Sequence, residues 1–390
     1  MDLSHAAAYE DFRGEVREFL SQYWRREFWG DPVQESRFRV KAVEYGYLYR
    51  AVPRRYGGAE REFDGLKSRI ISEEFARAGA PKEGPGPAPG FLVPTLVERG
   101  SEWQKQRFIP RAISGEEIWC QGYSEPDAGS DLVSLRTSAE LVGGEWRING
   151  QKVWTSEAHR ADYMFCLART EPDKPKRQGI SYLLVPMRQS GVEVRPLRQI
   201  TGRYEFSEVF FTDARTPADH IVGERGEGWA VANATLKHER AFQSNVGFLE
   251  ALFNSLVKLA KRTVVNGRTA IEDPAVARRL VDIQAWLETQ RCASYLQLSR
   301  AANDQPLPET MMMNKLAGTL YGHRVSELAT ELIGEAVLLS NLPGDHKQGD
   351  ERWLNQYFGS LGNAISAGTS NIQRNLIAER LYGFPRDAYR

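Results

Sequence analysis

The chain has few cysteines, no excess of either charge and no long apolar run. Its 390 residues include three cysteines, Cys120, Cys166 and Cys292, which are far apart and form neither a C-x-x-C pair nor a Cys/His cluster. A disulfide framework and a zinc site are therefore not indicated, and a reducing compartment is favoured. Lysine plus arginine equals aspartate plus glutamate, at 51 each, so we expect neither nucleic acid nor an anionic membrane as the main partner.

The sequence also shows no pattern typical of a membrane span or a signal peptide. No window holds the roughly 18 apolar residues of a membrane span, and the first residues are too highly charged for a signal peptide. With 41% hydrophobic residues and nine tryptophans, the composition is that of a globular protein. We expect a cytoplasmic protein without membrane insertion, divided into two or three subdomains because one core rarely serves so long a chain.

The hydrophobic periodicity changes twice along the chain. From Tyr9 to about Ser114 the spacing is helical, as in Phe12, Val16 and Phe19, and it is interrupted by a proline-rich segment at 84–90 that we interpret as a loop. From about Trp119 to Val222 the period is two, as in short strands, with hairpin-type turns predicted at Val142-Gly143-Gly144 and at Asn149-Gly150.

Long amphipathic patterns return after Gly228. Runs near 249–259, 281–287, 312–333 and 371–381 predict a four-helix bundle. The expected fold is therefore α+β, with an N-terminal all-α domain over 1–117, a central β-barrel-like domain over 118–222 and a C-terminal four-helix bundle domain over 223–390.

A segment rich in small and hydroxyl residues opens the β region, at Tyr123-Ser124-Glu125-Pro126-Asp127-Ala128-Gly129-Ser130-Asp131. Gly129 permits a close approach of the backbone, and Ser124 and Ser130 offer hydroxyl donors for a flavin ring edge or a diphosphate. The same composition also fits a plain Ser/Asp-rich turn, so this segment alone leaves both interpretations open.

Two further segments make the ligand interpretation specific. The run 124–131 resembles the S/T-E-P-x-A-G-S-D flavin motif of the acyl-CoA dehydrogenase family. Lys152-Val153-Trp154-Thr155-Ser156 is similar to the family strand whose tryptophan packs on the flavin, and Ala367-Gly368-Thr369-Ser370-Asn371-Ile372-Gln373-Arg374 resembles its E-G-T-x-x-I-Q-R segment. The three motifs occur in the same order as in the family. The resemblance covers the whole chain, since Arg107-Phe108-Ile109-Pro110 also matches the family's helical domain.

The resemblance implies an FAD cofactor held without a Rossmann G-x-G-x-x-G motif, which this sequence lacks. Ten residues are implied as cofactor contacts: Gln121, Tyr123, Ser124, Gly129, Ser130, Trp154, Thr155, Ser156, Thr369 and Asn371. Four are implied as substrate contacts: Ser130, Arg240, Ala367 and Gly368. No metal ligand is implied.

The position of the catalytic base departs from many relatives. Those relatives carry a glutamate in E-G-T, where this chain has Ala367, although the Ala367 main-chain N–H can still donate to a thioester oxygen. The chain resembles the isovaleryl and long-chain branch, whose base lies in a Glu-Arg pair on a bundle helix, and Lys237-His238-Glu239-Arg240 fits it. Glu239 lies about three helical turns beyond Gly228. We therefore predict Glu239 as the base, the alternative being a surface glutamate beside Arg240.

Two other family motifs are altered. Lys261-Arg262-Thr263-Val264 stands where relatives have R-x-T-F, a contact to a neighbouring subunit's FAD, and 331–337 stands where they have Q-x-x-G-G-x-G. The resemblance implies a tetramer, and these changes leave a homotetramer and a heterotetramer as alternatives.

The predicted reaction is α,β-dehydrogenation of an acyl-CoA, with electrons passed to an electron-transfer flavoprotein or similar acceptor. The alternatives are a catalytically silent FAD-binding subunit and a flavin monooxygenase on the same fold. Ser366 replaces an aromatic residue common in relatives, which predicts a roomy pocket for bulky acyl groups. The loop at 84–90 lies in the region that caps the acyl tail in relatives and is a second indication of unusual specificity.

Overall fold

The computed structural model describes residues 7–62, 64–243, 246–265, 267–302, 305, 309–339 and 351–385, without the side chains of 239–243, 301–302, 338–339 and 351. The chain divides into two compact units. One consists of Met1–Gln199 and Tyr204–Glu239, and the other of Ile200–Arg203 and Arg240–Arg390. The expected order of helical, β and helical regions is confirmed.

Helices form the first part of the first unit. They are α1 (Ala7–Tyr23), α2 (Pro32–Glu44), α3 (Gly65–Ala78), α4 (Val93–Arg99) and α5 (Glu102–Ser114). Local signals set their ends: the Asp31 carboxylate caps α2, Ser101 and Gln104 form a capping box on α5, and Gly79 ends α3 in the left-handed conformation. Phe19 and Phe75 are buried between these helices.

The proline-rich segment differs in part from the predicted loop. Residues 84–87 are irregular, but Ala88–Leu92 form one π-helical turn that runs into α4. The turn tolerates Pro89 because a proline near the start of a helical segment lacks only an N–H that would have no partner there.

The middle of the chain forms a mixed eight-stranded sheet. Its strands are β1 (Trp119–Gly122), β2 (Ser138–Val142), β3 (Glu145–Ser156), β4 (Tyr163–Arg169), β5 (Ile180–Pro186), β6 (Val192–Leu197), β7 (Phe206–Pro217) and β8 (Ile221–Val222). The order is β6-β7-β3-β2-β4-β5-β8, and β1 pairs in parallel with β4. The predicted boundaries at 117 and 222 fall between α5 and β1 and between β8 and α6 (Gly228–Gln243).

One of the two predicted hairpin turns is confirmed and the other is wrong. Gly143 and Gly144, both with positive φ, join β2 to β3. Asn149-Gly150 lies inside β3, at a shift of register against β7. Gly150 has a φ of 147°, and a Cβ there would lie 2.6 Å from the Thr137 Oγ1. The glycine therefore permits close packing of neighbouring strands rather than a chain reversal.

The second unit contains the predicted four-helix bundle, with one helix wrongly assigned. Its helices are α7 (Val246–Arg262), α8 (Pro274–Ala302), α9 (Asn314–Ile333) and α10 (Glu351–Asn363), and a short hairpin, β9 (Val264–Val265) with β10 (Arg268–Thr269), precedes α8. The run at 371–381 was predicted as the fourth bundle helix, but α10, with its buried Trp353, takes that place. That run instead forms the shorter α11 (Ser370–Arg380), in which Gln373 is buried.

Candidate active site

The loop after β1 is attached to the core at its start and exposed to solvent at Gly129 and Ser130. The Tyr123 ring is buried and lies edge-on to Phe165 and Tyr182, so its side chain belongs to the core and only its main chain lies at the loop. The Ser124 carbonyl accepts a hydrogen bond from the Val153 N–H at 2.9 Å. Beyond it the chain turns outward, and Gly129 and Ser130 are exposed.

A buried ion pair joins this loop to β3. The Lys152 Nζ lies 2.7 Å from the Glu125 Oε1 and also donates to the Tyr123 carbonyl at 3.2 Å. Glu125 accepts the main-chain N–H groups of Arg136 at 2.6 Å and Thr137 at 2.9 Å. Burial acts to raise the pKa of the Glu125 carboxyl, but Lys152 and these hydrogen bonds outweigh it and hold the pKa below its ordinary value. The pair was not predicted, although a lysine at an inward position of an alternating strand was the available signal.

Trp154 is presented outward at an irregularity of β3. The register against β7 shifts between Lys152 and Thr155, and Trp154 has a φ of 60°. Its indole is 62% exposed and meets Phe206 edge-on at 6.0 Å. A bulge that turns a large apolar ring toward solvent, in a strained backbone conformation, is typical of a ligand surface.

The residues beside Trp154 face in different directions. Ser156 is partly exposed, whereas Thr155 is fully buried and its hydroxyl makes no hydrogen bond to any residue that the structure describes. Gln121 lies on β1, opposite Phe165 of β4, and is half-buried. Of the predicted contacts in this unit, Ser124, Gly129, Ser130, Trp154 and Ser156 are accessible side chains or open backbone, and Thr155 is not.

The second unit carries a half-buried turn that leads into α11. Ala367 and Gly368 both have positive φ, at 49° and 88°. Thr369 caps α11, its hydroxyl accepting the Ile372 N–H at 3.1 Å, while Asn371 is exposed. Asn363 precedes this turn in the chain, and its carbonyl accepts a hydrogen bond from the Lys315 Nζ at 2.6 Å. The turn therefore presents main chain and a helix N-terminus, an arrangement that favours a phosphate or a carbonyl oxygen.

The predicted base lies on α6, which is well anchored up to His238. The buried Thr235 hydroxyl lies 3.0 Å from that of Thr95 on α4, and the His238 Nε2 lies 3.9 Å from Glu98. Burial lowers the pKa of His238. Glu239 and Arg240 are part of the helix, but their side chains lie outside the described part of the chain.

The residue types at these positions suit the chemical groups of FAD. An outward indole suits an isoalloxazine ring, the exposed Ser130 and the open Gly129 suit close approach, and a capped helix N-terminus suits a diphosphate. No cluster of metal-ligating side chains occurs among the described residues, and no described helix is long and apolar enough to cross a membrane.

Gly129 offers a direct test of this fit. A Cβ at this position would meet nothing within 4 Å, and the backbone has no positive φ, so the fold itself does not require glycine there. We expect Gly129→Val to leave the free energy of unfolding of the FAD-free protein within about 0.5 kcal/mol of wild type and to weaken FAD binding at least about tenfold, which is about 1.4 kcal/mol. Fluorescence titration of FAD measures the affinity.

The control is Gly14→Val, at another exposed and open glycine, on α1. It should leave FAD affinity unchanged. Equal FAD affinity in the Gly129 variant and wild type would remove this loop from the cofactor site.

Comparison with known proteins gives a consistent assignment over the full length. Residues 7–116, 120–214 and 226–382 match the family models for the N-terminal, middle and C-terminal domains of acyl-CoA dehydrogenases. The acyl-CoA dehydrogenase IpdE1 of Mycobacterium tuberculosis is 39% identical over 97% of this chain and 98% of its own.

Two solved structures of similar proteins cover almost the whole chain. The ChsE4-ChsE5 complex of Mycobacterium tuberculosis superposes with a TM-score of 0.81 at 28% identity, covering 99% of this chain and 100% of that one. The Tcur3481-Tcur3483 steroid ACAD gives a TM-score of 0.81 at 29% identity, with the same coverage.

Proposed function

Because the chain belongs to the acyl-CoA dehydrogenase family and is an oxidoreductase of that family, we propose that it converts a bulky acyl-CoA to the enoyl-CoA with Glu239 as the base. The observation that carries the proposal is a retained glutamate at 239 in a chain with Ala367 at the other base position. The main chain cannot accept the α-proton, so a side-chain carboxylate has to supply the base.

The proton and the hydride leave neighbouring carbons. Glu239 takes the proton from the carbon next to the thioester carbonyl. Bound FAD supplies the acceptor for the hydride from the next carbon, which leaves a carbon–carbon double bond. An α-proton of a thioester is too weakly acidic for a carboxylate in water, so the site must exclude water around Glu239 and stabilise the developing negative charge on the thioester oxygen.

The turn at Ala367 is suited to that second task. Ala367 and Gly368 adopt a positive φ in a half-buried turn, and we assign the Ala367 N–H as donor to the thioester oxygen. Thr369 accepts a hydrogen bond from the helix with its hydroxyl oxygen, so its own O–H proton can be donated to a diphosphate oxygen of FAD. We assign Asn371 to the same diphosphate and Arg240, as a guanidinium, to the CoA portion.

The remaining cofactor contacts are assigned to the loop and strand of the first unit. Trp154 would pack against the flavin ring, and Ser156 with the main chain of Thr155 would hold the edge of the ring that receives the hydride. The ring and the diphosphate side would be held by Ser124, Gly129 and Ser130, together with the main chain of Tyr123 and the side chain of Gln121. Ser130 would also contact the substrate. Supporting these assignments are the exposure of Trp154 and the open backbone at Gly129.

The size of the acyl group is inferred from the small side chains at positions 366 and 367. Ser366 and Ala367 are small, and Ser366 is exposed. One similar solved protein is described as a steroid ACAD, and a steroid acyl group is bulky and rigid. We therefore propose bulky, polycyclic or branched acyl-CoA thioesters over straight short chains.

A heteromeric assembly is favoured over a homotetramer by two observations. The Q-x-x-G-G-x-G segment is altered at Glu331, Glu335 and Val337. One similar solved protein is described as the ChsE4-ChsE5 complex, and the other carries the two joined names Tcur3481-Tcur3483. The same observations support the second candidate, a silent FAD-binding subunit. Electron-transfer flavoprotein remains the proposed acceptor for the active enzyme.

Mass spectrometry of the thioester after incubation with FAD and an artificial electron acceptor tests the function. We expect a product lighter by two hydrogens, formed faster from cyclohexylpropanoyl-CoA than from butyryl-CoA. A product that gains an oxygen atom would instead identify a monooxygenase. An unchanged thioester, with FAD bound, would identify the silent subunit.

A further inference from the structure

The turn between α10 and α11 presents two main-chain donors. The N–H groups of Ala367 and Gly368 make no hydrogen bond to any residue that the structure describes. Both residues have a positive φ, which is unfavourable for Ala367 because a Cβ crowds the backbone in that region. A residue in such a conformation persists where the surrounding structure holds it. Other contacts therefore have to fix this turn.

A buried glutamine of α11 holds Ala367. Gln373 is 6% exposed, and its Nε2 donates to the Ala367 carbonyl at 3.4 Å. A Cβ on Gly368 would lie 2.7 Å from the same Nε2, so the glycine leaves the space that the amide occupies. On the other side of Ala367, the Ser366 N–H donates to the Gly362 carbonyl at 3.0 Å. The peptide group that carries the Ala367 N–H therefore lies between two peptide groups that are each hydrogen-bonded.

A buried lysine anchors the start of the same turn. Lys315 of α9 is also 6% exposed, and its Nζ donates to the Asn363 carbonyl at 2.6 Å. It makes no ion pair with any residue that the structure describes. Burial of an unpaired ammonium group is unfavourable, but this carbonyl lies at the C-terminal end of α10, where the helix dipole is negative and the last carbonyls lack helical partners. Lys315 thus fixes the end of α10 to α9.

The placement of the Ala367 N–H decides how well it serves the reaction. In the proposed function this donor meets the thioester oxygen, on which negative charge develops as the α-proton leaves. A preorganised donor stabilises that charge most, and a displacement of about 1 Å can lower the rate about 10²-fold. The methyl side chain of Ala367 makes no hydrogen bond of its own, so its N–H is placed by the residues that hold the turn.

We propose that Gln373 and Lys315 are positioning residues for the reaction. Gln373 holds the Ala367 peptide and Lys315 holds the start of the turn, so that the Ala367 N–H is fixed in place before the thioester binds. Neither side chain contacts the substrate. The inference rests on the proposed function and deepens it, because it names the side chains that preorganise the main-chain donor.

The test uses Gln373→Met, which keeps the length of the side chain and removes the donor, and Lys315→Met, which removes the anchor. In the FAD-loaded proteins with cyclohexylpropanoyl-CoA, we expect kcat per bound FAD to fall about ten- to a hundredfold. KM should change little, because the charge on the thioester oxygen develops only in the transition state. Asn375→Met, at an exposed position of α11, is the matched control and should keep the wild-type kcat.

The carbonyl stretch of the bound thioester gives a readout other than turnover. Isotope-edited infrared spectra of the bound enoyl product, labelled with ¹³C at its thioester carbonyl, report how strongly hydrogen bonds polarise that carbonyl. We expect a lower frequency in the wild type and in Asn375→Met than in Gln373→Met and Lys315→Met. Equal frequencies, or equal kcat per bound FAD, in a variant and the wild type would overturn the role of the residue replaced and leave the proposed function standing. If the wild type oxidises no bulky thioester, the proposed function itself fails.

Discussion

Replacing Glu239 with glutamine lowers kcat/KM for the best acyl-CoA by about 10²–10⁴-fold, the range that a positioned general base contributes. This is about 3–5 kcal/mol of transition-state stabilisation. Glutamine has nearly the same shape but cannot accept the α-proton. The protein should still bind FAD, because Glu239 is not assigned to the cofactor. Steady-state kinetics with an artificial acceptor and the flavin content of the purified protein measure the two effects separately.

Glu224→Gln is the matched control, because Glu224 is exposed in the segment that precedes the same helix. It should retain wild-type kinetics. A Glu239→Gln enzyme with nearly normal kcat/KM would show that another group takes the proton. Loss of FAD in this variant would show instead that the residue has a structural role.

Replacing Lys152 with methionine lowers the free energy of unfolding of the first unit by about 3–5 kcal/mol, the usual cost of removing one partner of a buried ion pair. Lys152 is fully buried and Glu125 nearly so, and methionine leaves the carboxylate with two main-chain donors but no cation. The Ser124 loop loses the ion pair that joins it to β3 and keeps only the hydrogen bond from Val153, so FAD affinity should fall as well. Denaturant unfolding and FAD titration are the measurements.

The double variant Lys152→Met/Glu125→Gln separates charge from shape. Removing both charges should recover most of the lost stability, since no uncompensated charge remains. Because the folded-state pKa of Glu125 is depressed, its contribution is present above the ordinary carboxyl pKa and is lost as pH falls through the folded value. Equal stability of the single and double variants at neutral pH would contradict this account.

Periodicity predicted the order of the helices and strands but not every packing contact between them. The helical and alternating patterns are local, so the helices before Ser114 and the strands up to Val222 were predictable. The fourth bundle helix was not: 371–381 has helical spacing too, and only tertiary packing makes Trp353 of α10 a core residue. Asn149-Gly150 has the composition of a turn, but the approach of Thr137 to Gly150 is a long-range contact that local sequence does not reveal.

The candidate site was predictable to the level of segments. The motifs around Ser124, Trp154 and Thr369 can be recognised in the sequence. The directions of the side chains around Trp154, however, depend on the bulge in β3. That bulge turns Trp154 outward and Thr155 inward, so a motif could not distinguish their roles. The buried ion pair of Lys152 with Glu125 became apparent only in the structure.

Anaerobic titration of the FAD-loaded protein with a bulky acyl-CoA shows whether Glu239 takes the α-proton. We expect the absorbance of oxidised flavin to disappear in the wild-type protein as the enoyl-CoA forms. We expect Glu239→Gln, carrying the same amount of FAD, to stay oxidised on the same time scale. Bleaching at equal rates in both proteins would contradict Glu239 as the base, and an oxidised flavin in the wild type with every thioester would contradict the dehydrogenase itself.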